Sequence, residues 1–474
     1  MLILALAPCL AQAVPAYARQ TGQNCQACHA GGQFPELTPY GRLFKMTGYT
    51  LGRRALPLSV MAVASSVSVN NTSKSDDPGD DFQKRSKLIF ATGSVFLAGK
   101  VTDNLGLFSQ FTYDNYGNQA DDGSFQGTTT TDNVDIRYAD HLIMGDQDLI
   151  WGISLNNNPS ISDPWNAVAA WMQYVPVPSP SAYRFVDGEA PYPGFGSDGN
   201  IAGLTAYLFW NQSLYAELGF YRSADRIFSP FRAGITGEDR TYLDGNNNPY
   251  WRLAYSRDWG ANSLEVGASG MVAHIFDPGA ERSDHNNLGR TNNTGVDSQY
   301  QYLLFPHAVT VQLSYMHQVQ HYSQNSLADG SPYFQADGLT PVAPVDGTDT
   351  TNVLRLKASY IYQAKYGASL SYFSLTGSTN SLNQSSGYDS NGQITSDDPL
   401  GTGISSSRVE GNLSGDPETR GFTGELFWTP IQYLRLGLQY TAYNKYNGAS
   451  HNYDGFGRNA SDNNTLFFYA WAAY

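Results

Sequence analysis

From Leu58 onward, apolar and polar residues alternate with period two, in runs of about ten residues set between turn-forming stretches. Between Tyr433 and Asn444, Leu434, Leu436, Leu438, Tyr440 and Ala442 share one face, while Arg435, Gly437, Gln439, Thr441 and Tyr443 share the other. Ser213 to Arg222 repeats the arrangement, with Leu214, Ala216, Leu218 and Phe220 opposite Tyr215, Glu217, Gly219 and Tyr221. Successive strand side chains point to opposite faces, so this alternation gives one lipid-facing and one lumen-facing surface. Soluble sandwiches alternate as well, but seldom over runs of membrane height. The pattern predicts a mainly β fold, a transmembrane antiparallel β-barrel of about sixteen strands over residues 57–474. Tight turns are expected near Asp103, Asp146, Asn211, Gly260, Pro306, Lys365 and Pro430. They alternate with longer polar loops at 71–85, 116–131, 158–199, 223–248, 276–294, 323–349, 378–416 and 447–462. The chain then enters and leaves the barrel on the short-turn side.

The charged positions agree with this reading. Asp135 and Arg137 alternate with Val134, Ile136 and Tyr138, and Arg355 and Lys357 alternate with Leu354, Leu356 and Ala358. Facing lipid, each charge would cost roughly 2–4 kcal/mol at midplane, so these side chains are expected inside. In the last strand Leu466, Phe468, Ala470, Ala472 and Tyr474 form an apolar face, with Tyr469 and Trp471 assigned to the membrane interface.

Composition narrows the class further. Of 474 residues, 15% are charged against 41% hydrophobic and 13% aromatic, with 32 Tyr and 47 Gly. No run approaches eighteen consecutive apolar residues, which excludes a helical membrane protein. Mean hydropathy is −0.37, yet the aromatic content excludes a disordered chain. A net charge of −14 argues against nucleic acid as a partner. At the start, the apolar run Leu2–Leu10 precedes Ala11-Gln12-Ala13, a small-x-small cleavage pattern, so residues 1–13 read as the remnant of a secretory signal. Export then leaves Cys25 and Cys28.

These two cysteines stand in Cys25-Gln26-Ala27-Cys28-His29. The spacing suits two thioether bonds to haem vinyl groups with the adjacent imidazole on iron, which predicts one covalently bound c-type haem with His29 as its proximal ligand. A redox disulfide is the alternative for a CxxC pair, but it needs no histidine. Residues 14–56 would form a monohaem cytochrome c segment too small to hold itself together, and so one that caps or plugs the barrel. Within it, Thr38 as N-cap, Pro39 at the first turn and Gly48 as stop predict a helix from Thr38 to Thr47. Arg42 and Lys45 on that helix either neutralise haem propionates or face solvent. Met46, the segment's one methionine, is the expected sixth ligand, against the alternative of an apolar contact. His141, expected to point inward near a tight turn, is the other candidate for that position.

Ala18–Gly22, the Cys25–His29 motif and Phe34-Pro35-Glu36-Leu37-Thr38-Pro39-Tyr40-Gly41-Arg42-Leu43-Phe44-Lys45 resemble the outer-membrane fused monohaem cytochrome–porins of iron-oxidising bacteria. Asn158-Pro159, Asp163-Pro164-Trp165-Asn166 and the ending Asn464-Thr465-Leu466 to Tyr474 are similar to the same family. The resemblance implies an Fe(II)-oxidising oxidoreductase in the outer membrane of a Gram-negative bacterium. Electrons would pass from extracellular Fe(II) through the haem to a periplasmic cytochrome or cupredoxin. The long loops would lie outside, and the N-terminal segment on the periplasmic side or in the lumen. Acidic stretches such as Ser75–Asp81 and Asp284–Asn286 either gather Fe(II) or are simply solvated. Two other readings stand beside the conduit: a solute porin with an accessory haem segment, and a barrel sheath around a separate multihaem cytochrome.

Overall fold

The computed structural model describes residues 15–32, 36–70, 88–119, 125–167, 201–232, 242–277, 280–329, 347–379, 412–453 and 457–474. Residues 1–13, expected to be a signal remnant, and the acidic stretch Ser75–Asp81 lie outside them. The first half of the barrel comprises β1 (Leu58–Val69), β2 (Ile89–Lys100), β3 (Leu105–Gln119), β4 (Phe125–Met144), β5 (Gln147–Asn156), β6 (Ile201–Trp210) and β7 (Leu214–Ser223). After the two-residue β8 (Tyr242–Leu243) come β9 (Asn248–Trp259), β10 (Asn262–Phe276), β11 (Leu288–Leu304), β12 (His307–His321) and β13 (Thr348–Tyr362). The set ends with β14 (Tyr366–Gly377), β15 (Thr419–Ile431), β16 (Leu434–Lys445) and β17 (Thr465–Ala473).

Each long strand pairs antiparallel with its neighbours, and β1 pairs with β17, Met61 opposite Ala473 and Val69 opposite Thr465, which closes the ring. β8 adds only a short pairing at the end of β10. The fold is therefore a closed antiparallel barrel of 16 strands with no open edge. Alternation decides which face is which. Leu214, Leu218 and Phe220 are exposed while Tyr215, Glu217 and Tyr221 are buried, and Leu438 and Tyr440 are exposed opposite buried Arg435, Gln439 and Thr441. Trp210, Trp259, Tyr362, Tyr366, Trp428 and Tyr474 are all exposed and lie beside the short turns or at the chain end. They form an aromatic girdle at that rim, and the apolar exterior between the rims marks an outer-membrane, porin-like barrel in contact with lipid.

The tight turns fall where the pattern puts them, and both ends of the barrel chain meet at the short-turn rim. Three expectations change. The loop at 116–131 shrinks, because β3 and β4 run on until Gln119 pairs with Phe125; β-branched Thr128–Thr131 suit a strand despite their polarity. The loop at 276–294 shrinks likewise, since Phe276 pairs with Leu288. Tyr469 and Trp471 face inward rather than the interface; the Tyr469 hydroxyl accepts from Arg435 Nε at 2.8 Å and donates to Glu425.

Described residues enter the lumen at both ends. At the long-loop end, buried Tyr221, Tyr250, Phe373, Tyr443, Tyr446 and Tyr453 belong to one apolar cluster, with Tyr446 and Tyr453 rings 4.8 Å apart. At the short-turn end lies the N-terminal segment, with α1 (Pro15–Thr21), α2 (Cys25–Cys28) and α3 (Pro39–Met46).

Candidate functional site

The N-terminal segment touches the wall from β1 round to β13. Ser59 Oγ of β1 accepts from Ala16 N at 2.9 Å, and Gln20 Oε1 accepts from Lys100 N of β2 at 2.8 Å. Tyr17 donates to Leu107 O of β3 at 2.8 Å and stacks on Tyr49 with ring centroids 5.3 Å apart. Tyr49 Oη donates in turn to Asp135 Oδ2 of β4 at 2.6 Å, beside the Asp135–Arg137 ion pair of 2.8 Å. At the opposite wall, Glu36 meets Lys357 of β13 at 2.5 Å, both buried. Gly31 packs so closely on Ile361 that a Cβ there would lie 2.3 Å from the side chain. A segment of this size has little core of its own, so the barrel interior supplies it.

The CxxCH motif is shaped locally by a cap and a close approach. Asn24 accepts from Ala27 N at 3.2 Å and starts α2, a single turn that puts Cys25 and Cys28 on one side. Thr38 caps α3, its Oγ1 accepting from Gly41 N at 3.1 Å with Pro39 at N1; the helix then stops at Thr47 and Gly48, as the sequence predicts. The same Thr38 donates its hydroxyl to Ala27 O and its N–H to Cys28 O at 2.9 Å, which ties the cap of α3 to α2. Gly41 lets the two helices touch, since a Cβ there would lie 2.1 Å from Cys28 O.

Neither cysteine is in a disulfide. Cys25 is buried, and burial, with Cys25 alongside, pushes the Cys28 thiol up to about 11, so Cys28 is a thiol rather than a thiolate at neutral pH. The His29 ring is partly exposed, but its Nδ1 is shielded from solvent and has no hydrogen-bond partner among the described residues. Burial lowers this imidazole from 6.5 to about 4. It is therefore neutral near pH 7, with a lone pair free for a metal. Two unbridged cysteines one helical turn apart beside a neutral imidazole whose Nδ1 has no partner among the described residues are a donor set that fits a c-type haem. Gln23, Asn24 and Gln26 around the motif are exposed, so the site opens toward the short-turn mouth.

The other predicted residues are placed elsewhere. Arg42 is 3% exposed and is spent on the wall: Nη1 donates to Leu37 O, Gln299 and Gln301, and Nη2 donates to Ser263 at 2.6 Å. It tethers α3 to β10 and β11 and is not available to propionates in this arrangement. Lys45 is buried as well and donates to Asp163 O at 2.8 Å. Met46 stands about 10 Å along the helix axis from Pro39, at 1.5 Å per residue. Its side chain packs in a cluster with Ile150, Trp165, Tyr207, Phe209 and Tyr215. His141 sits at the short-turn rim, half-exposed and paired with Asp148. β4, which carries it, and β13, on which Gly31 just after the Cys25–His29 motif packs, are eight steps apart round the ring of 16, on opposite walls. The barrel's curvature, invisible to a strand-by-strand reading, separates them.

Sequence reasoning missed the inward fold of residues 157–167. Asn158 caps α4 (Pro159–Ser162), and Asp163 then folds the chain back by accepting from Trp165 N at 3.1 Å and Ala167 N at 2.6 Å. Inside the lumen, Arg252 of β9 meets Asp163 at 2.9 Å, Asp297 at 2.8 Å and Glu265 at 3.1 Å, all fully buried. The signal was present in Asn-Pro and Asp-Pro-Trp, a run rich in capping and turn residues. At the outer loops, Asp284 is used as a cap, accepting from Asn286 N at 3.0 Å. Among the described residues no three His, Cys, Asp or Glu side chains are grouped to hold a metal ion.

No protein-family model and no curated protein matches the chain. Among solved structures, it is similar to the outer-membrane channel DcaP of Acinetobacter baumannii at 11% identity and a TM-score of 0.44, covering 88% of this chain and 96% of that one. It is also similar to Salmonella typhi OmpF in complex with daunomycin, at 11% identity, TM-score 0.42, and 88% and 97% coverage. A loop-deletion form of Vibrio cholerae OmpT matches at 9% identity, TM-score 0.41, and 88% and 98% coverage.

Proposed function

We propose that the chain is an outer-membrane electron conduit that passes electrons from extracellular Fe(II), through one covalent c-type haem, to a periplasmic acceptor of the cytochrome or cupredoxin kind. The observation that carries this reading is the CxxCH turn, seated by α2 and α3 at the short-turn mouth of a barrel whose lumen the chain itself enters at both ends. Cys25 and Cys28 would hold the macrocycle as thioethers, and His29 would ligate the iron. When bound, the haem supplies a one-electron couple whose potential is tuned by axial ligand and burial. The wall holds the segment that carries the motif: Arg42, Glu36 and Tyr49 pin it to β10, β11, β13 and β4. With short turns periplasmic and long loops outside, the motif faces the acceptor.

The polar inner wall favours a second reading, a solute porin with an accessory haem segment. The N-terminal segment and the side-chain cluster of Tyr221, Tyr250, Phe373 and Tyr443 lie within the lumen, which sets the conduit ahead of it and of a barrel sheath. The test is the pair Cys25→Ala plus Cys28→Ala, with haem staining on denaturing gels and stopped-flow mixing of purified protein with Fe(II). Wild type should stain and show rapid haem reduction, and the double variant neither. A wild-type haem inert to Fe(II) would remove iron from the account, and absence of stain would remove the haem.

A further inference from the structure

The inward-folded segment 157–167 comes from the long-loop end and meets the haem-bearing segment inside the barrel. Its contacts with that segment, and with the wall residues that hold both, are specific. Asp163 O accepts from Lys45 Nζ at 2.8 Å. Arg137 Nη2 donates to Ser162 O at 3.0 Å, while the same guanidinium lies 4.9 Å from the Tyr207 ring centroid. Tyr207 Oη donates to Met46 O at 2.6 Å. Trp165, 1% exposed, shares the cluster of Met46 and packs edge-on against Tyr215 at 5.4 Å. The segment is fixed from its other side by the Asp163–Arg252 pair, where neither side chain is accessible to solvent.

We propose that Asp163 and Trp165 are positioning residues for the haem-bearing plug: anchored by Arg252, they form a seat that fixes the C-terminal end of α3 from the outer side. The electron-transfer meaning rests on the haem reading above, whereas the seat itself does not. Buried charges are held only where geometry and partners are complete, so the carboxylate of Asp163 and the guanidinium of Arg252 define one position for this segment. Lys45, Met46 and the turn at Gly48 take that position from it. Through α3, whose cap is bonded to Cys28, the seat reaches the motif. The outer connection between β5 and β6 thereby becomes part of the haem site, which gives the Asp163-Pro164-Trp165-Asn166 run a role that its distance in sequence from Cys28 conceals.

The experiment uses the full chain in detergent, as wild type, Asp163→Asn, Trp165→Ala and Trp165→Phe. Trypsin cleavage after Arg42 and Lys45, both buried in the wild type, is followed by peptide mass, and the haem midpoint potential by redox titration. Loss of a buried charge-assisted contact should raise cleavage at these two sites by about tenfold or more in Asp163→Asn and Trp165→Ala. It should also shift the potential, with haem stain retained, while Trp165→Phe stays close to wild type. Unchanged cleavage and potential in Asp163→Asn, with the barrel still heat-modifiable, would overturn the proposal, even where Trp165→Ala fails to fold. So would a Trp165→Phe that behaves like Trp165→Ala. If wild type carries no haem, the haem reading fails alone, and the cleavage comparison still decides the seat.

Discussion

Replacing Gly41 by alanine should loosen the Cys25–His29 turn without altering any barrel strand. The new Cβ would sit 2.1 Å from Cys28 O, 2.9 Å from its carbonyl carbon and 3.0 Å from its Cα, all backbone atoms that cannot rotate away. Restoring an ordinary contact of about 3.5 Å forces α2 and α3 apart by about 1.4 Å. The hydrogen bond from Thr38 N to that same oxygen, now 2.9 Å, is stretched beyond use. Overpacking costs roughly 1–3 kcal/mol and the lost hydrogen bond about 1. Alanine's better helix propensity returns about 1 kcal/mol, so the net cost to seating is about 1–3 kcal/mol. That corresponds to a roughly five- to hundredfold increase in local opening. Hydrogen exchange followed by mass spectrometry over 25–49 should show this loss of protection, with β10 peptides as the internal control. Unchanged exchange over 25–49 in a folded Gly41→Ala variant would refute the packing argument.

Because Met46 is committed to the Trp165 cluster, Met46→Ala should cost about 2–5 kcal/mol of local packing yet leave the visible spectrum of the iron as in wild type. Loss of a sulfur-to-iron charge-transfer band in that variant would restore Met46 as the sixth ligand. His141→Ala should leave the haem spectrum unchanged, since it removes only a half-exposed pair with Asp148 that is worth at most about 1 kcal/mol. Protease added to intact cells should cut within 378–416 and spare the tight turn at Pro430; the reverse pattern would invert the orientation.

Much of the architecture was legible because it is local. Period-two alternation fixes which face of Ser213–Arg222 or Tyr433–Asn444 is buried, and Thr38-Pro39 with Gly48 fixes the limits of α3. The turn at Cys25–His29 was legible for the same reason, with all of its candidate donors lying in five residues. What stayed hidden depends on closure of the ring and on contacts between residues far apart in sequence. Arg42 looked like a propionate partner because nothing near it in the chain announces Ser263, Gln299 or Gln301. His141 looked near the haem because a list of strands does not say which walls face each other. Tyr469 and Trp471 looked interfacial by residue type, although strand parity puts them opposite Leu466 and Phe468. The inward turn at Asp163 is set by Arg252, a partner that no local pattern names.

The central claim is that electrons cross the barrel through the Cys25–His29 site while ions do not. The most direct measurement reconstitutes the protein into lipid vesicles with ferricyanide trapped inside and Fe(II) added outside. The account predicts that trapped ferricyanide is reduced at a rate proportional to haem content, without leakage of iron, and that the Cys25→Ala plus Cys28→Ala variant leaves it oxidised. Reduction at the same rate by the double variant, or none by a fully haem-loaded wild type, would contradict it.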